Sequence, residues 1–311
     1  MLAILDVTIP FFALVLCGFL AAWRGKLPQQ TVAALNSFVL YFALPAMLFR
    51  FAAGAPFADV VNPRVFLSYA LTGLAVLFGA AIGLRRLRGD RWDDAAYGAM
   101  ATAWANWGYM GIALVPAVLG PAAMAPLVAG GMADLLVVVS AALAIASRND
   151  TGGEHWLRAL AGALAGIARN PLIWSVVAGL AVNGLSVPLP KAFDEFLRLL
   201  GTAAGPVALF SIGVSLYRPG GARIGLDTWV LTLAKLVVHP ALAWAVATWV
   251  FRLDESQALV LMLMAALPAA GSAFLFAERG GADADRVAAV ILVSTAVAFG
   301  TFSAIASFAA G

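Results

Sequence analysis

Asn106 is the polar residue of a charge-free segment that reads Trp-Ala-Asn-Trp-Gly-Tyr-Met-Gly. The glycines of this segment, Gly108 and Gly111, each cost about 1 kcal/mol relative to alanine inside a helix, and they permit an opened turn. An opened turn frees backbone N–H groups, and such groups at the start of a helix bind anions. Asn106 would then donate to the anion while Trp107 and Tyr109 line an apolar pocket. The alternative is a close helix–helix contact through the glycines, with Asn106 bonded to a neighbouring helix.

Pro268 lies within a second apolar segment, shortly before Gly271 and Ser272. A proline inside a helix removes one backbone hydrogen bond, and the carbonyl that is freed needs a partner or a cavity. The segment therefore suits either a binding site or a simple proline kink.

Three ionisable residues lie inside apolar stretches: Asp134, Lys235 and His239. An unpaired charge in hydrocarbon is costly, so Asp134 and Lys235 are expected to pair with each other or with backbone carbonyls. The functional interpretation is a proton or substrate relay. The alternatives are a structural pair, a Lys235 side chain that reaches towards the membrane surface, and a structural histidine at His239.

The sequence lacks the patterns of several common chemistries. It holds two histidines and one cysteine, Cys17, so neither a His-rich metal site nor an internal disulfide is expected. It contains no His-Glu-x-x-His motif, no P-loop and no Gly-x-Ser-x-Gly nucleophile motif. We therefore expect no metal, no cofactor and no enzymatic activity. A basic cluster at 85–91 flanks an apolar stretch, which indicates membrane orientation and anionic lipid rather than nucleic acid.

The composition places these residues in a membrane protein. Of the 311 residues, 63% are hydrophobic and 11% are charged, and the mean hydropathy is +0.95. A soluble domain is about 45–50% apolar and about 25% charged. A soluble enzyme and a disordered chain are both excluded, because neither could be so poor in charge.

The apolar stretches predict ten membrane-spanning helices, each long enough to cross about 30 Å of hydrocarbon. Gly120-Pro121 divides one long stretch in two, and Lys235 lies inside another. The predicted spans are 7–23, 27–49, 65–84, 95–118, 122–147, 170–190, 199–217, 226–251, 256–277 and 287–311.

The distribution of cations predicts the orientation. Of the 19 lysines and arginines, thirteen lie in connections after odd-numbered spans and five in connections after even-numbered spans. Because cytoplasmic loops are rich in Lys and Arg, we expect a bacterial-type inner-membrane protein with both termini outside.

The two halves of the chain resemble each other. Residues 43–49 and 204–210 both read Ala-x-Pro-x-x-Leu-Phe, and each lies in the second span of its half. The predicted units are 1–147, a cytoplasmic linker or interfacial helix at 148–169 with Trp156 at the headgroup level, and 170–311. Two halves of five spans must be oppositely oriented, and inverted repeats are typical of secondary transporters.

Four segments, in this order and spacing, resemble the auxin efflux carrier family in its short bacterial form. They are 35–49 in the second span, 106–112 in the fourth, 170–172 with 205–213 in the sixth and seventh, and 268–277 with 294–297 in the ninth and tenth. The resemblance implies an all-α fold of two inverted five-helix repeats. It implies a scaffold of helices 1, 2, 6 and 7 and a transport unit of helices 3–5 and 8–10. Helices four and nine would be broken and would cross near the middle of the membrane.

The resemblance also implies roles for individual residues. An organic anion, such as auxin in plants or malonate or malate in bacteria, would bind where the broken helices cross. Asn106 matches the asparagine that meets the carboxylate, Tyr109 and Ser272 match neighbouring pocket positions, and Leu48 matches a scaffold residue that faces the substrate.

The sequence departs from the family at two positions. Ala113 and Ala273 stand where the family commonly has a proline in each broken helix. The breaks would then depend on Gly108, Gly111 and Gly271. With leucine at position 48, the scaffold side of the pocket would be apolar.

These observations favour a secondary carrier of small organic carboxylates that works by alternating access, with an elevator-like movement of the transport unit. A homodimer through the scaffold helices is expected from the resemblance. Two alternatives stay open: a sodium- or proton-coupled carrier of the bile-acid or cation-exchanger type, and a membrane sensor that binds an amphiphile without transporting it.

Overall fold

The computed structural model describes residues 2–28, 30–55, 61–147, 169–217 and 224–309. Apart from one isolated bridge, the regular structure of these residues is helical. The helices are α1 (Leu2–Trp23), α2 (Gln30–Gly54), α3 (Pro63–Arg88), α4 (Trp92–Ala103), α5 (Trp107–Leu119), α6 (Pro121–Ala146), α7 (Pro171–Gly184), α8 (Lys191–Leu216), α9 (Leu226–Val250), α10 (Glu255–Ala265), α11 (Ser272–Arg279) and α12 (Ala284–Ala309).

Seven helices within the described residues are long and apolar enough to cross a membrane: α1, α2, α3, α6, α8, α9 and α12. Three others, α5, α7 and α10, are apolar but have only 10–17 residues. The predicted fourth span is divided between α4 and α5, and the predicted ninth span between α10 and α11. The part of the chain that the structure describes is therefore helical, in keeping with a membrane protein.

Local sequence explains several helix ends. Asn62 caps α3, because its Oδ1 accepts from the backbone N–H of Arg64 at 3.1 Å. Asn170 caps α7 by accepting from Leu172 at 2.9 Å. Gly120 separates α5 from α6 with a φ of 86°, a value that glycine adopts without strain. The predicted turn at Gly120-Pro121 is thus confirmed.

The predicted start of the seventh span, at residue 199, is wrong. The helix α8 begins at Lys191, and its first part, Lys191–Thr202, is amphipathic. Asp194 and Arg198 are among the charged residues of this part, so a search for charge-free runs passes over it. The predicted linker at 148–169, with Trp156, lies outside the described residues except for Arg169.

Helices α1, α2, α7 and α8 pack together through small residues. A Cβ added at Gly18 in α1 would overlap the carbonyl oxygen of Phe210 in α8, and one added at Gly213 would overlap the carbonyl oxygen of Val15. A Cβ at Gly179 in α7 would likewise press on the backbone of α2. The backbones of these helix pairs therefore touch directly, as in other membrane helix pairs built on glycine.

The remaining helices, α3–α6 and α9–α12, form a second group. Here α3 packs on α4 and α6, and α9 packs on α10 and α12. Within this second group, helices α3–α6 meet helices α9–α12 at three contacts: α3 with α9, α4 with α11, and α6 with α10. Between the two groups, Thr8 of α1 and Ser303 of α12 share a buried hydrogen bond of 3.2 Å.

An ion-pair network ties together the ends of α3, α4, α9 and α12 on one side of the second group. Arg286, almost fully buried at the start of α12, lies within 3.1 Å of carboxylate oxygens of Asp90, Asp227 and Asp283. Arg88, at the end of α3, also reaches Asp227 at 3.1 Å. Because the carboxylates share one guanidinium, the helix ends cannot separate without leaving a charge unpaired.

Candidate functional site

Two short non-helical segments interrupt the second group of helices. The first, residues 104–106, separates α4 from α5, and the second, residues 266–271, separates α10 from α11. Pro268 accounts for the second interruption, since proline cannot donate the next helical hydrogen bond. The first interruption contains neither proline nor glycine and precedes Gly108. We call these two segments together the crossover.

The crossover segments hydrogen-bond to each other. The backbone N–H of Asn106 donates to the carbonyl oxygen of Pro268 at 3.0 Å, and the N–H of Ala270 donates to the carbonyl oxygen of Trp104 at 3.1 Å. They form an isolated antiparallel bridge inside the bundle. The carbonyl of Pro268, which lies outside any helix, thus finds its donor in the other broken helix.

The backbone donors between these two hydrogen bonds are satisfied by side chains from outside the crossover. The N–H of Ala105 donates to Oδ2 of Asp134 in α6 at 3.3 Å. The N–H of Ala269 donates to Oγ of Ser294 in α12 at 3.2 Å. Asp134 and Ser294 are both fully buried. Each half of the crossover is therefore held by one polar side chain from a neighbouring helix.

Both helices that leave the crossover start beside open space. A Cβ added at Gly108, in the first turn of α5, or at Gly271, directly before α11, would meet no atom within 4 Å. The first N–H groups of a helix have no acceptor within that helix and carry partial positive charge. These two helix starts can therefore receive an anion.

Asn106 lies at the start of α5 and is 4% exposed. Its backbone carbonyl accepts from the N–H groups of Met110 and Gly111 at 3.0 and 3.1 Å. Its side chain makes no capping hydrogen bond to the first turn of α5. The backbone of Asn106 is thus fixed on both sides while its amide is not used to cap the helix that follows.

Three other residues that the sequence singled out, Tyr109, Gly111 and Ser272, lie in the first turns of the helices that leave the crossover, whereas Leu48 lies in α2. Tyr109 and Ser272 are half-buried, in the first turns of α5 and α11. Gly111 is buried, and a Cβ added there would lie 2.8 Å from Cδ1 of Leu267. A glycine at this position therefore allows close packing between the two halves, and a larger residue would displace the end of the Leu267 side chain. Leu48 is fully buried in α2, within the first group of helices.

Ala113 and Ala273 occupy helical positions rather than the interruptions themselves. Ala113 is half-buried in α5, and its Cβ would lie 3.2 Å from a Cβ added at Gly205 of α8. Ala273 is fully buried in the first turn of α11. Ala113 therefore lies at a contact between the two groups of helices, and Ala273 in the interior of the second.

Lys235 does not pair directly with Asp134, since no ion pair within 4 Å joins these two described residues. The Lys235 ammonium donates to the carbonyl oxygen of Ala265, at the end of α10, at 2.9 Å, and contacts Nδ1 of His239 at 3.1 Å. A cation at the carboxyl end of a helix is favourable. Of the predicted pairings, the one with a backbone carbonyl is therefore confirmed for Lys235.

Asp134 and Lys235 share a structural setting. Each lies in a π-helical turn, Asp134–Val138 in α6 and Ala234–Val238 in α9. Such turns often occur at functional positions. Near them, the ring of Tyr69 lies 5.8 Å from that of His239, and Oδ1 of Asp134 has no hydrogen-bond partner among the described residues. A buried polar cluster of Tyr69, Asp134, Lys235 and His239 thus lies next to the crossover, and Asp134 and Lys235 hydrogen-bond to the backbone of its two broken helices.

Sequence reasoning missed Ser294. In the sequence it is one hydroxyl in an apolar helix, and serines of this kind commonly bond back to their own helix. Ser294 does bond to the carbonyl of Ile291 at 3.2 Å, in addition to its contact with Ala269. Only the pairing of the broken helices reveals its second role.

Ser294→Ala is expected to lower stability moderately. The buried N–H of Ala269 would lose its acceptor, which costs about 1–3 kcal/mol, and the melting temperature should fall by a few degrees. Ser307→Ala is the matched control, because Ser307 of the same helix bonds only to the carbonyl of Ser303. Tryptophan-fluorescence melting of the detergent-purified variants measures both. Equal melting temperatures for the two variants would contradict the role of Ser294.

The arrangement offers hydrogen-bond donors and helix-end charge, and it suits a carboxylate. No group of three or more His, Cys, Asp or Glu side chains that could hold a metal ion occurs among the described residues. The donors are backbone N–H groups and the amide of Asn106. They can hold an anion without forming a permanent ion pair.

Comparison with known proteins gives a consistent result. Residues 3–305 match the sequence model of a family described as "Membrane transport protein". The chain is 30% identical to a protein of Rhizobium meliloti (strain 1021) named "Putative malonate transporter", over 97% of this chain and 94% of that one.

Two further relatives are more distant. The chain is 24% identical to "Uncharacterized transporter YfdV" of Escherichia coli (strain K12), over 87% of this chain and 86% of the relative. It is 29% identical to "Probable auxin efflux carrier component 5a" of Oryza sativa subsp. japonica, over 43% of this chain and 37% of the relative. The similarity to the first two extends over most of the chain.

Proposed function

Because the chain belongs to the auxin efflux carrier family of membrane transport proteins, we propose that it is a secondary transporter of small organic anions. The observation that carries the proposal is the crossover, where two helix starts lie beside open space and Asn106 directly precedes the first of them. These groups bind an anion without a formal cation. Such a site can release its ligand again, as a carrier must.

The proposed substrates are malonate, malate or auxin-like weak acids. The name of the Rhizobium meliloti relative supports malonate, and that of the rice relative supports auxin. Asn106 orients the carboxylate, and Tyr109 and Ser272 form the sides of the site. Gly111 and Gly271 allow close approach of the backbone, and Leu48 provides an apolar wall from the first group of helices.

We further propose that the two groups of helices are a scaffold (α1, α2, α7, α8) and a transport unit (α3–α6, α9–α12). The helices within each group pack closely, and the crossover lies wholly inside the second group. Movement of the transport unit against the scaffold would carry the site across the membrane in an elevator-like manner. Gly108, Ala113, Pro268 and Ala273 then belong to the part that moves.

An inverted repeat is supported by one constant sequence offset. Gly179 lies 161 positions after Gly18, and Phe210 lies 161 positions after Phe49. Gly18 approaches the carbonyl of Phe210, and Gly179 approaches the carbonyl of Phe49. The same contact thus occurs twice: once with the glycine in the first half of the chain and the phenylalanine in the second, and once the other way round. In this proposal α4 with α5 is the fourth membrane span, and α10 with α11 is the ninth.

The proposed location is a bacterial-type inner membrane with both termini outside, from the distribution of Lys and Arg. The described helices leave large apolar side chains exposed, among them Tyr41, Phe42 and Trp174 of the scaffold, in keeping with contact to lipid or to a second scaffold. A homodimer through scaffold helices is part of the proposal.

We expect transport to proceed without sodium. Among the described residues the crossover presents no group of carboxylates for a cation, and Nζ of Lys235 already occupies the carbonyl oxygen of Ala265 at the carboxyl end of α10. Replacing sodium by choline on both sides of a proteoliposome membrane should change the malonate flux less than twofold. A flux that requires sodium would favour the alternative of a sodium-coupled carrier.

The test of the function is counterflow in proteoliposomes. Vesicles loaded with unlabelled malonate, malate or indole acetate are diluted into a trace of the labelled compound, with and without a pH gradient. Transient accumulation of label that needs the protein supports a carrier. Saturable binding without accumulation would favour the sensor alternative, and Asp134, with its unpartnered oxygen, is the first residue to examine if the flux needs a proton gradient.

A further inference from the structure

A large cavity lies at the end of the molecule where α2 ends and α10 begins, and no crossover residue lines it. Its volume is about 1060 Å³. It lies between the ends of α2, α7 and α8 on one side and of α6 and α10 on the other. The cavity thus separates the proposed scaffold from the proposed transport unit, on the side that the distribution of cations predicts to be outside.

The lining of this cavity is partly charged, although the helices that form it are of membrane-spanning length. Arg50 of α2 and Asp194 and Arg198 of α8 all contribute. Charged side chains in such helices face water-filled space. On the other side of the same part of α8, Phe196 and Leu199 are exposed and apolar, as for contact with lipid. The cavity is therefore an aqueous vestibule.

Arg50 and Asp194 form a bidentate ion pair in this vestibule. Nε of Arg50 donates to Oδ1 of Asp194 at 2.6 Å, and Nη2 donates to Oδ2 at 3.1 Å. A guanidinium binds any carboxylate in this way. The two side chains are 41% and 37% exposed, and pairs as exposed as this contribute little to stability. A carboxylate from solution can therefore compete with Asp194.

The pair does not join the scaffold to the transport unit, since α2 and α8 belong to the same group of helices. It cannot act as a lock between the two. Arg198, the second cation of the vestibule, is held by Glu195, one turn before it in the same helix. Arg50 is thus the cation of the vestibule whose partner comes from another helix.

We propose that Arg50 is an entry subsite for one carboxylate of a small dicarboxylate, and that Asp194 occupies this subsite when it is empty. The inference rests on the proposed function, and it adds a second site and a preference for dianions. A dicarboxylate that displaces Asp194 is concentrated at the mouth of the vestibule before it reaches the crossover. A monocarboxylate gains less, because a guanidinium attracts a single negative charge less strongly than it attracts a dianion.

Two variants at this pair are expected to act in opposite directions. Asp194→Asn removes the competing charge and should lower the KM for malonate about two- to fivefold, the range that an exposed ion pair supports. Arg50→Gln removes the subsite and should raise the KM at least fivefold, with the maximal rate little changed. Acetate, as the monocarboxylate probe, should respond less than twofold to either. Arg64→Gln, an exposed cation at the same end outside the vestibule lining, is the control.

Initial rates of label uptake in the counterflow assay measure these constants, and melting temperatures confirm that each variant is folded. If both variants raise the KM together, the pair is only structural and the inference is wrong. If Arg50→Gln behaves like wild type while wild type transports malonate, the subsite is refuted and the proposed function stands. If wild type transports none of the carboxylates, the proposed function fails first and the subsite with it.

Discussion

Asn106→Ala is expected to reduce the affinity for carboxylates about 10- to 100-fold, the loss that follows when a hydrogen bond to a charged ligand is removed. The side chain of Asn106 makes no capping hydrogen bond to α5, so its removal is expected to cost the protein little. Its backbone hydrogen bonds to Pro268, Met110 and Gly111 are kept by alanine. The variant should therefore melt within about 2 °C of wild type while its counterflow of malonate falls about 5- to 50-fold at substrate concentrations near the wild-type KM.

Asn183→Ala is the matched control for this experiment. Nδ2 of Asn183 donates to the carbonyl oxygens of Ala53 and Ala55 at 2.9 and 2.8 Å and so holds the end of α2. Its loss should lower the melting temperature and leave the KM for malonate nearly unchanged. Transport by Asn106→Ala at the wild-type KM would refute the assignment of the site to the crossover. A melting temperature that falls as far as that of Asn183→Ala would show that Asn106 is structural.

Gly213→Ala is expected to destabilise the protein by more than about 3 kcal/mol, beyond the usual cost of overpacking a core. The added methyl group would meet the backbone of α1 at Val15 and Phe19 rather than the end of a flexible side chain. Only a separation of α1 from α8 relieves the contact, and that separation also opens the neighbouring contact at Gly18. We expect a fall of about 6 °C or more in the melting temperature, together with a reduced yield from the membrane.

Gly300→Ala provides the comparison, since a Cβ added there would meet nothing within 4 Å. Alanine is the better helix former by about 1 kcal/mol, so this variant should melt at or slightly above the wild-type temperature. If Gly213→Ala melts like Gly300→Ala, the close approach of α1 and α8 is wrong. Of the glycine contacts described for the proposed scaffold, only that of Gly179 in α7 with α2 would then stand.

The sequence was sufficient to predict much of the helical organisation. Hydropathy located the apolar stretches, because a span needs about 20 apolar residues, and Gly120-Pro121 gave the turn between α5 and α6. The charge-free criterion failed at α8, whose first turns combine Asp194 and Arg198 with exposed aromatic residues. A helix with lipid on one face and water on the other has no charge-free run, so its start is found only in three dimensions.

The site was predictable in part. Asn106 and Pro268 stood out in the sequence because each is costly in a membrane helix. The pairing of Ala105 with Ala269, and the support that Ser294 gives to it, could not be foreseen, since alanine and serine are ordinary residues of such helices. The contact between Arg50 and Asp194 joins residues 144 positions apart, so no local sequence pattern predicts it.

The hydrogen bonds that join the two broken helices run between main-chain atoms. Every amino acid carries these atoms, so most substitutions on the surrounding helices leave this frame unchanged. Cargo choice, by contrast, depends on the few side chains that border the open space. Single substitutions at these side chains can therefore change which cargo is bound while the helical frame of the protein stays intact. The same separation recommends the chain as a starting scaffold for engineered uptake of unnatural acids.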